Sequence, residues 1–172
     1  MSRPPSTGLV VPVDAAVDLV SPWTAGLPAA VRDLPPHVTA LWPFLPTGDL
    51  DETVEDRLEA LLSGVPSFSF ALVRVADLAD AAVLLPEPAA PFRALTRTLW
   101  DEWPECPPFG GAFDDVAPHV AVAVDPSSEQ RAAIRTVLTP RLPLACRATE
   151  VLLVEETPGG PLRLRRRFAL GG

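Results

Sequence analysis

The sequence predicts an α+β protein with two lobes, built from two copies of a strand–helix–strand–strand unit. Hydrophobic residues along the chain switch between the two-residue period of strands and the longer period of helices. Two similar segments, 36–40 (PHVTA) and 118–122 (PHVAV), each precede the same three predicted elements, and their histidines lie 82 residues apart. No polar or Gly/Ser-rich linker separates the two copies. Residues 1–172 are therefore predicted to form a single bilobal domain, with antiparallel sheets around a central cleft.

The first elements precede and begin the first copy. Residues 8–13 (GLVVPV) are an apolar run typical of a strand. Residues 14–30 are predicted to form a helix that begins at an aspartate cap and is interrupted by Pro22 and Pro28. Residues 37–44 (HVTALWPF) alternate as a strand does and end at a proline.

The rest of the first copy contains the clearest helix, residues 49–63. Its first turn is acidic, which suits the helix dipole, and its apolar residues lie on one face. Gly64 ends it. Residues 68–75 alternate large and small side chains and predict a half-buried strand, and residues 81–85 predict another. A helix is predicted over residues 91–103, with Phe92, Leu95 and Leu99 turned inward.

The second copy follows a loop at residues 104–117 that is rich in proline, glycine and acidic residues. A strand is predicted at residues 119–124 and a helix at residues 127–138. Two strands, residues 145–155 and 162–170, complete the copy.

Composition limits the classes of function. The 172 residues are 48% hydrophobic and 21% charged, which is typical of a globular protein. The net charge of −8 disfavours long nucleic acid as a partner, because such binding needs a basic surface, but it does not exclude a small anionic ligand. Cys106 and Cys146 match neither a disulfide framework nor a zinc motif. No signal peptide or membrane-spanning run is recognisable, so a cytoplasmic, monomeric protein with no membrane partner is expected.

The two histidines of the chain, His37 and His119, occupy equivalent positions in the repeat. Strand alternation places His37 and Thr39 on one face, and the valines that follow each histidine on the other, core-facing side. The two histidine faces are predicted to meet across the cleft. Two imidazoles around one ligand can serve as general base and general acid, since histidine titrates near neutral pH.

These residues resemble the 2H phosphoesterase superfamily and, within it, the 2′-5′ RNA ligase-like branch. The resemblance rests on His37-Val38-Thr39-Ala40 with its flanks and on His119-Val120-Ala121-Val122, and it extends from Leu9 to Leu170. It implies a two-lobed fold and a phosphodiesterase without a metal ion or other cofactor. One histidine would deprotonate the attacking water or hydroxyl and the other would protonate the leaving oxygen. The sequence leaves open which histidine plays which role. The hydroxyl of Thr39 would bind a phosphoryl oxygen.

The second motif departs from the family pattern, which places threonine or serine where this chain has Ala121. An arginine that many relatives carry soon after this motif is also missing. Arg166, which interrupts the apolar face of the predicted last strand, is the internal candidate to replace the lost anion contact. Asp114 and Asp115, in the glycine-rich loop, are candidates to orient an imidazole.

Three readings of the function remain. The first is a phosphodiesterase that acts on a small nucleotide or on a cyclic or 2′-5′-linked phosphodiester. The second keeps the fold but uses the histidines for acid–base chemistry on, or binding of, an uncharged small metabolite, which the Ala121 departure favours. The third is a binding or scaffold module in which neither histidine matters.

Overall fold

Eight strands and four α-helices make up the protein in this computed structural model, which describes residues 3–112 and 115–172. The strands are β1 (Thr7–Pro12), β2 (His37–Leu41), β3 (Phe68–Leu78), β4 (Ala81–Glu87), β5 (Val120–Val124), β6 (Leu144–Ala148), β7 (Glu150–Glu156) and β8 (Leu162–Ala169). The helices are α1 (Val17–Val20), α2 (Glu52–Ser63), α3 (Ala90–Glu102) and α4 (Ser128–Leu138). The predicted α+β class with antiparallel strands is confirmed.

All eight strands join in one antiparallel sheet, in the order β6-β3-β4-β5-β2-β1-β7-β8. Its two halves, β6-β3-β4-β5 and β2-β1-β7-β8, meet where β5 lies beside β2. That junction is narrow, with the single register pair Val38–Val120. The sheet is therefore continuous, but the strand pairing is shortest at its midline, between β2 and β5.

Each half of the sheet takes strands from both sequence repeats. β2 lies in one half, whereas β3 and β4 of the same repeat lie in the other. In the second repeat, β5 and β6 lie on the side of β3, and β7 and β8 lie on the side of β1. Each repeat thus contributes strands to both halves of the sheet, and neither half is built from one contiguous repeat.

The helices are well explained by local sequence. Asp51 caps α2 by accepting a hydrogen bond from the backbone N–H of Val54 at 2.9 Å. Ser127 and Gln130 form a reciprocal capping box at the start of α4. Helices α2, α3 and α4 bury their apolar residues with the strands in one large core. No helix among residues 3–112 and 115–172 is long and apolar enough to span a membrane.

Two predicted elements are wrong in their extent. The helix predicted at residues 14–30 is a series of short pieces: a 3₁₀ turn at Asp14–Ala16, the single turn α1, and a 3₁₀ turn at Ser21–Gly26 that contains Pro22. The strand predicted at residues 145–155 is two strands, β6 and β7, which lie in opposite halves of the sheet. The chain crosses between the halves at Thr149.

β-bulges explain two departures from the predicted alternation. The register of β7 on β8 shifts between Leu153 and Val154, and as a result Leu164 is 42% exposed, although simple alternation from the buried Leu162 would turn it inward. A second shift, between β4 and β5, buries Ala123 in the core and leaves Val124 half-buried.

Candidate functional site

The two histidines lie on neighbouring strands at the midline of the sheet. Because β2 and β5 are antiparallel and Val38 pairs with Val120, one step along each strand places Thr39 opposite His119 and His37 opposite Ala121. Val38 and Val120 are buried, whereas His37, Thr39, His119 and Ala121 are half-buried. Each histidine therefore has the other strand's motif position as its neighbour across the midline of the sheet.

Both imidazole rings are oriented in the same way. The Nδ1 atom of His37 lies 2.9 Å from the carbonyl oxygen of Pro35, and that of His119 lies 2.8 Å from the carbonyl oxygen of Ala117. A carbonyl oxygen only accepts hydrogen bonds, so Nδ1 donates in both rings. In the neutral ring the basic lone pair is then at Nε2.

The electrostatic environment of His37 favours its neutral form. Burial, which disfavours the charged imidazolium, lowers the pKa of His37 below its ordinary value of 6.5. The hydrogen bond to Pro35 opposes this shift, and the nearby charge of His119 adds to it. His119 is thus near enough for its charge to lower the pKa of His37.

Three hollows surround the histidines. The His119 cavity, of about 430 Å³, is lined by Thr39, His119, Trp42, Trp100, Arg93 and other residues of α3 and of the segment before β5. The His37 cavity, of about 350 Å³, is lined by His37, Ala121, Val124 and mostly apolar residues between Val17 and Pro36. A smaller hollow of about 270 Å³ contains both His37 and Thr39. Thr39 thus lines both the His119 cavity and the smaller hollow beside His37, whereas Ala121 lines the His37 cavity.

One face of α3 forms a wall of the His119 cavity. Arg93, Thr96, Arg97 and Trp100 recur at helical spacing and all line it. The Thr96 hydroxyl donates to the carbonyl oxygen of Ala40 at 2.6 Å, which fixes α3 against β2. The guanidinium of Arg93 is paired with the carboxylate of Asp115. That of Arg97 is paired with Asp101 at 2.9 Å.

Phe109 and Trp42 form the boundary between the His119 cavity and the hollow that holds His37 and Thr39, because both residues line both. Phe109 has a left-handed backbone (φ 53°) that non-glycine residues seldom adopt, and its N–H donates to the carbonyl oxygen of Trp42 at 2.5 Å. Gly8 makes room for the indole of Trp42, since a Cβ at Gly8 would lie 2.2 Å from it. A strained loop residue and a required glycine therefore shape the aromatic edge of the site.

The structure does not bring Arg166 to the histidines. Arg166 lies on the edge strand β8, separated from β2 by β1 and β7. Its guanidinium bonds Glu55 at 3.2 Å and Glu59 at 2.8 Å, both on α2, and packs on the ring of Phe168. The bulge in β8 places Arg165 beside the same Glu55. This group joins α2 to β8.

The aspartates of the glycine-rich loop have different outcomes. Asp114 lies outside the described residues. Asp115 pairs with Arg93, and the imidazole of His119 is oriented instead by the carbonyl oxygen of Ala117. Among residues 3–112 and 115–172, no group of three or more histidine, cysteine, aspartate or glutamate side chains is arranged to hold a metal ion.

Sequence reasoning did not identify Arg93, Arg97 or Trp100 as part of the site. The signal was present in the helix predicted at residues 91–103. Beside its inward apolar stripe runs a second stripe at positions 93, 96, 97 and 100, made of two arginines, a threonine and a tryptophan. Trp100 is the one residue that sets this stripe apart from the ordinary solvated face of an amphipathic helix.

Comparison with solved structures identifies the same fold elsewhere. The structure of Escherichia coli LigT complexed with 3′-AMP aligns with a TM-score of 0.63 at 19% identity, covering 99% of this chain and 100% of that chain. TT0787 of Thermus thermophilus aligns with a TM-score of 0.64 at 18% identity, covering 97% of this chain and 98% of that chain. No curated protein matches the sequence significantly.

A family model places the chain. The model of the 2′-5′ RNA ligase superfamily matches residues 11–160, a span that contains both histidine motifs and the strands that carry them. Together with the shared fold, this match shows that the chain belongs to the 2′-5′ RNA ligase superfamily, within the 2H phosphoesterases.

Proposed function

We propose that this protein is a phosphodiesterase that hydrolyses a small nucleotide substrate, a cyclic or 2′-5′-linked phosphodiester, by acid–base catalysis with His37 and His119. The observation that carries the proposal is the antiparallel pairing of the two motifs at the midline of the sheet, which places Thr39 opposite His119. Membership of the 2′-5′ RNA ligase superfamily supports it. E. coli LigT, which has the same fold, has been crystallised with 3′-AMP, with ATP and with NADP+.

The site has the groups that the hydrolysis requires. A water molecule attacks phosphorus, its proton passes to the basic nitrogen of one histidine, the P–O bond to the leaving group breaks, and the other histidine protonates the departing oxygen. We assign the base to His37, because its lowered pKa keeps the ring neutral near pH 7. His119 is then the acid. The hydroxyl of Thr39 donates to a phosphoryl oxygen beside His119.

The His119 cavity fits the nucleoside part of such a substrate. Its volume of about 430 Å³ is within the range of small-molecule pockets. Trp42, Trp100 and Phe109 offer aromatic faces on which a base can stack. Arg93 and Arg97 supply positive charge at the same wall.

The test is turnover of 2′,3′-cyclic mononucleotides and 2′-5′-linked dinucleotides, followed by chromatography of the products. His37→Ala and His119→Ala are each expected to lose on the order of 10²–10⁴-fold in rate. The double variant should lose less than the product of the two, because the pair acts as a unit. Glu102→Gln, which alters an ion pair with Arg57 outside the cavities described above, is the control. Full activity in either histidine variant would reject that residue as a catalyst.

The pH dependence of kcat/KM tests the assignment of the base. Because burial lowers the pKa of His37, its neutral form persists below pH 6.5, and activity should decline on acidification only through a value below 6.5. Added EDTA should leave the rate unchanged. An acidic limb above 6.5, or activity that EDTA abolishes and a divalent ion restores, would contradict the mechanism.

One observation favours a second candidate function. The His37 cavity is lined by Ala121 and mainly apolar side chains, where a family member with the full motif would present a hydroxyl. Acid–base chemistry on an uncharged metabolite would suit this side of the site. In that case no phosphodiester would be turned over, whereas both histidines would still be required for the native reaction.

A further inference from the structure

The His119 cavity has positively charged side chains on one wall, which bear on how an anionic substrate is recognised. Two arginines of α3 line this cavity, and each is paired with a carboxylate of the chain itself. The pair Arg97–Asp101 lies within α3, four residues apart, and both side chains are more than 60% exposed. Such a pair is typical of a solvated helix surface.

The pair Arg93–Asp115 is of a different kind. It connects α3 to the segment Asp115–His119, every residue of which lines the cavity. Within that segment the carbonyl oxygen of Ala117 orients the ring of His119. Asp115 therefore places a carboxylate on the guanidinium of Arg93 inside the same cavity that holds Thr39 and His119.

We propose that Arg93 binds an anionic phosphate group of the substrate and that Asp115 is an internal competitor, which holds Arg93 until the substrate displaces it. The identity of the anion as a phosphate rests on the function proposed above. In the free protein the guanidinium of Arg93 is paired with the carboxylate of Asp115, and in the complex it binds the substrate phosphate. The two anions thus compete for one guanidinium.

The chemistry of the pair suits an exchange. A guanidinium presents parallel N–H donors that match a carboxylate and a phosphate equally well in shape. The side chain of Asp115 is 70% exposed and that of Arg93 is 44% exposed, so a released carboxylate is readily hydrated. Exposed ion pairs of this kind change an equilibrium constant by about fivefold at most, which a substrate phosphate can overcome.

The helix that carries Arg93 is held against β2. Thr96, one turn further along α3, is bonded to Ala40 of β2, the strand that also carries Thr39. This bond holds α3, which carries Arg93, beside the strand that carries the hydroxyl of Thr39. With alanine at position 121, the hydroxyl donor and the cation are both on the His119 side, so this side is where an anion is stabilised.

The experiment is calorimetric binding of 3′-AMP to the full chain at low ionic strength, with adenosine as the uncharged comparison. Arg93→Gln is expected to weaken 3′-AMP binding by about tenfold or more, since hydrogen bonds to charged groups are the strong ones. Asp115→Asn is expected to tighten it by up to about fivefold. The double variant should bind like Arg93→Gln alone, because the competitor has no effect without the arginine. Adenosine binding should not change in any variant.

The controls are Arg57→Gln and Glu102→Gln, which alter an exposed ion pair between α2 and α3 with a similar charge change. The proposal is overturned if Arg93→Gln binds 3′-AMP like the wild type, if Asp115→Asn weakens binding, or if the wild type does not bind 3′-AMP. Turnover of 2′,3′-cyclic AMP is measured in parallel. If 3′-AMP binding depends on Arg93 but the protein turns over no cyclic nucleotide, the proposed function is rejected and this inference is supported. If the protein turns over cyclic AMP and Arg93→Gln does not change the rate, the proposed function is supported and this inference is rejected.

Discussion

At the scale of single residues, position 121 distinguishes the two sides of the site. The antiparallel register places Thr39 beside His119 and Ala121 beside His37, so the substitution removes a donor from the side of the proposed base. The side of the proposed acid keeps its hydroxyl and has the two arginines of α3. The site is therefore asymmetric in chemistry although its backbone is nearly symmetric.

The variant Ala121→Thr tests whether the reaction passes through a charged phosphoryl centre. A hydroxyl at this position adjoins His37 and adds a donor for a phosphoryl oxygen, so hydrolysis of a 2′,3′-cyclic nucleotide should rise about tenfold. A preorganised donor contributes up to about 10²–10³-fold, and the surroundings of residue 121 are not adapted to orient one. Rates with wild type and variant, measured side by side, decide this.

The matched control for that variant is Ala121→Val, because valine has nearly the same shape as threonine and no hydroxyl. A gain in Ala121→Thr that Ala121→Val does not share identifies the hydroxyl as its cause. If neither variant gains phosphodiesterase activity while both lose a native reaction on an uncharged metabolite, the second candidate function replaces the first. The loss would follow from an added group in an apolar pocket, which costs roughly 1–3 kcal/mol for an unpaired hydroxyl.

Sequence reasoning reached the residues of the site unevenly. The repeat predicted that His37 and His119 belong to one cleft, because equivalent positions of a duplicated unit are related by its symmetry. It did not predict that Thr39 adjoins the opposite histidine, since that depends on the register of β2 on β5, which only the tertiary structure specifies. Arg93 and Asp115 are far apart in the chain, and their pairing depends on how α3 packs.

At the scale of elements, α3 connects the core to the site. Its stripe of Phe92, Leu95 and Leu99 is buried, and the adjacent stripe faces the His119 cavity. The bond from Thr96 to Ala40 is located where the two stripes meet and ties the helix to β2. A change at Thr96 should therefore affect substrate binding through the position of the helix.

The variant Thr96→Val removes this hydrogen bond and retains the shape of the side chain. Loss of a partly buried hydrogen bond should reduce the free energy of unfolding by about 1 kcal/mol, which corresponds to a decrease in Tm of about 2–4 °C in a domain of this size. KM for a cyclic nucleotide should rise more than kcat falls, because Arg93 and Arg97 move with the helix whereas the histidines are held by β2 and β5.

Thr96→Ser is the matched control, since it keeps a hydroxyl that can donate to Ala40. It should restore KM toward that of the wild type. A Thr96→Val variant with unchanged KM, or a Thr96→Ser variant as impaired as Thr96→Val, would show that the hydrogen bond does not position α3. Thermal unfolding and steady-state kinetics on the same preparations provide both readouts.

Element boundaries show why sequence patterns were informative here and where they failed. Period and capping residues located both ends of α2, α3 and α4 to within three residues. The predicted strand 145–155 was wrong because no glycine or proline marks Thr149, where the chain crosses from one half of the sheet to the other. The bulge in β8 was also not visible, since an extra residue in a strand is recognised by its pairing with the neighbouring strand.

At the scale of the whole molecule, the exchange of strands between repeats explains why the two motifs meet. Each repeat contributes strands to both halves, so the chain passes from one half to the other within each repeat. The narrow pairing at Val38–Val120 leaves the midline open on the side of the histidines. The topology thus places the two histidine motifs where the two halves meet, which is where the proposed chemistry would take place.

The charge of the whole molecule predicts the size of the substrate. The net charge is −8, and at least ten of the fourteen basic residues, all arginines, are paired with carboxylates in the described part of the chain. A run of phosphates would have to compete with each of these carboxylates while it approaches a molecule of net charge −8. A long RNA strand therefore gains few ionic contacts beyond those made by its terminal nucleotides.

We expect a single-stranded RNA of about 30 nucleotides to bind little more tightly than a dinucleotide. Because affinity for single strands falls with salt in proportion to about 0.7 of the phosphates contacted, two contacts give a slope of log K against log salt near −1.4. Fluorescence anisotropy with end-labelled RNA between 50 and 300 mM salt, a range of about sixfold, measures this slope. Arg93→Gln should make the slope shallower by about 0.7, since it removes one contact. A slope steeper than about −4, or affinity that grows steadily with RNA length, would show that the protein follows the backbone of a long strand and would overturn the expectation of a small substrate.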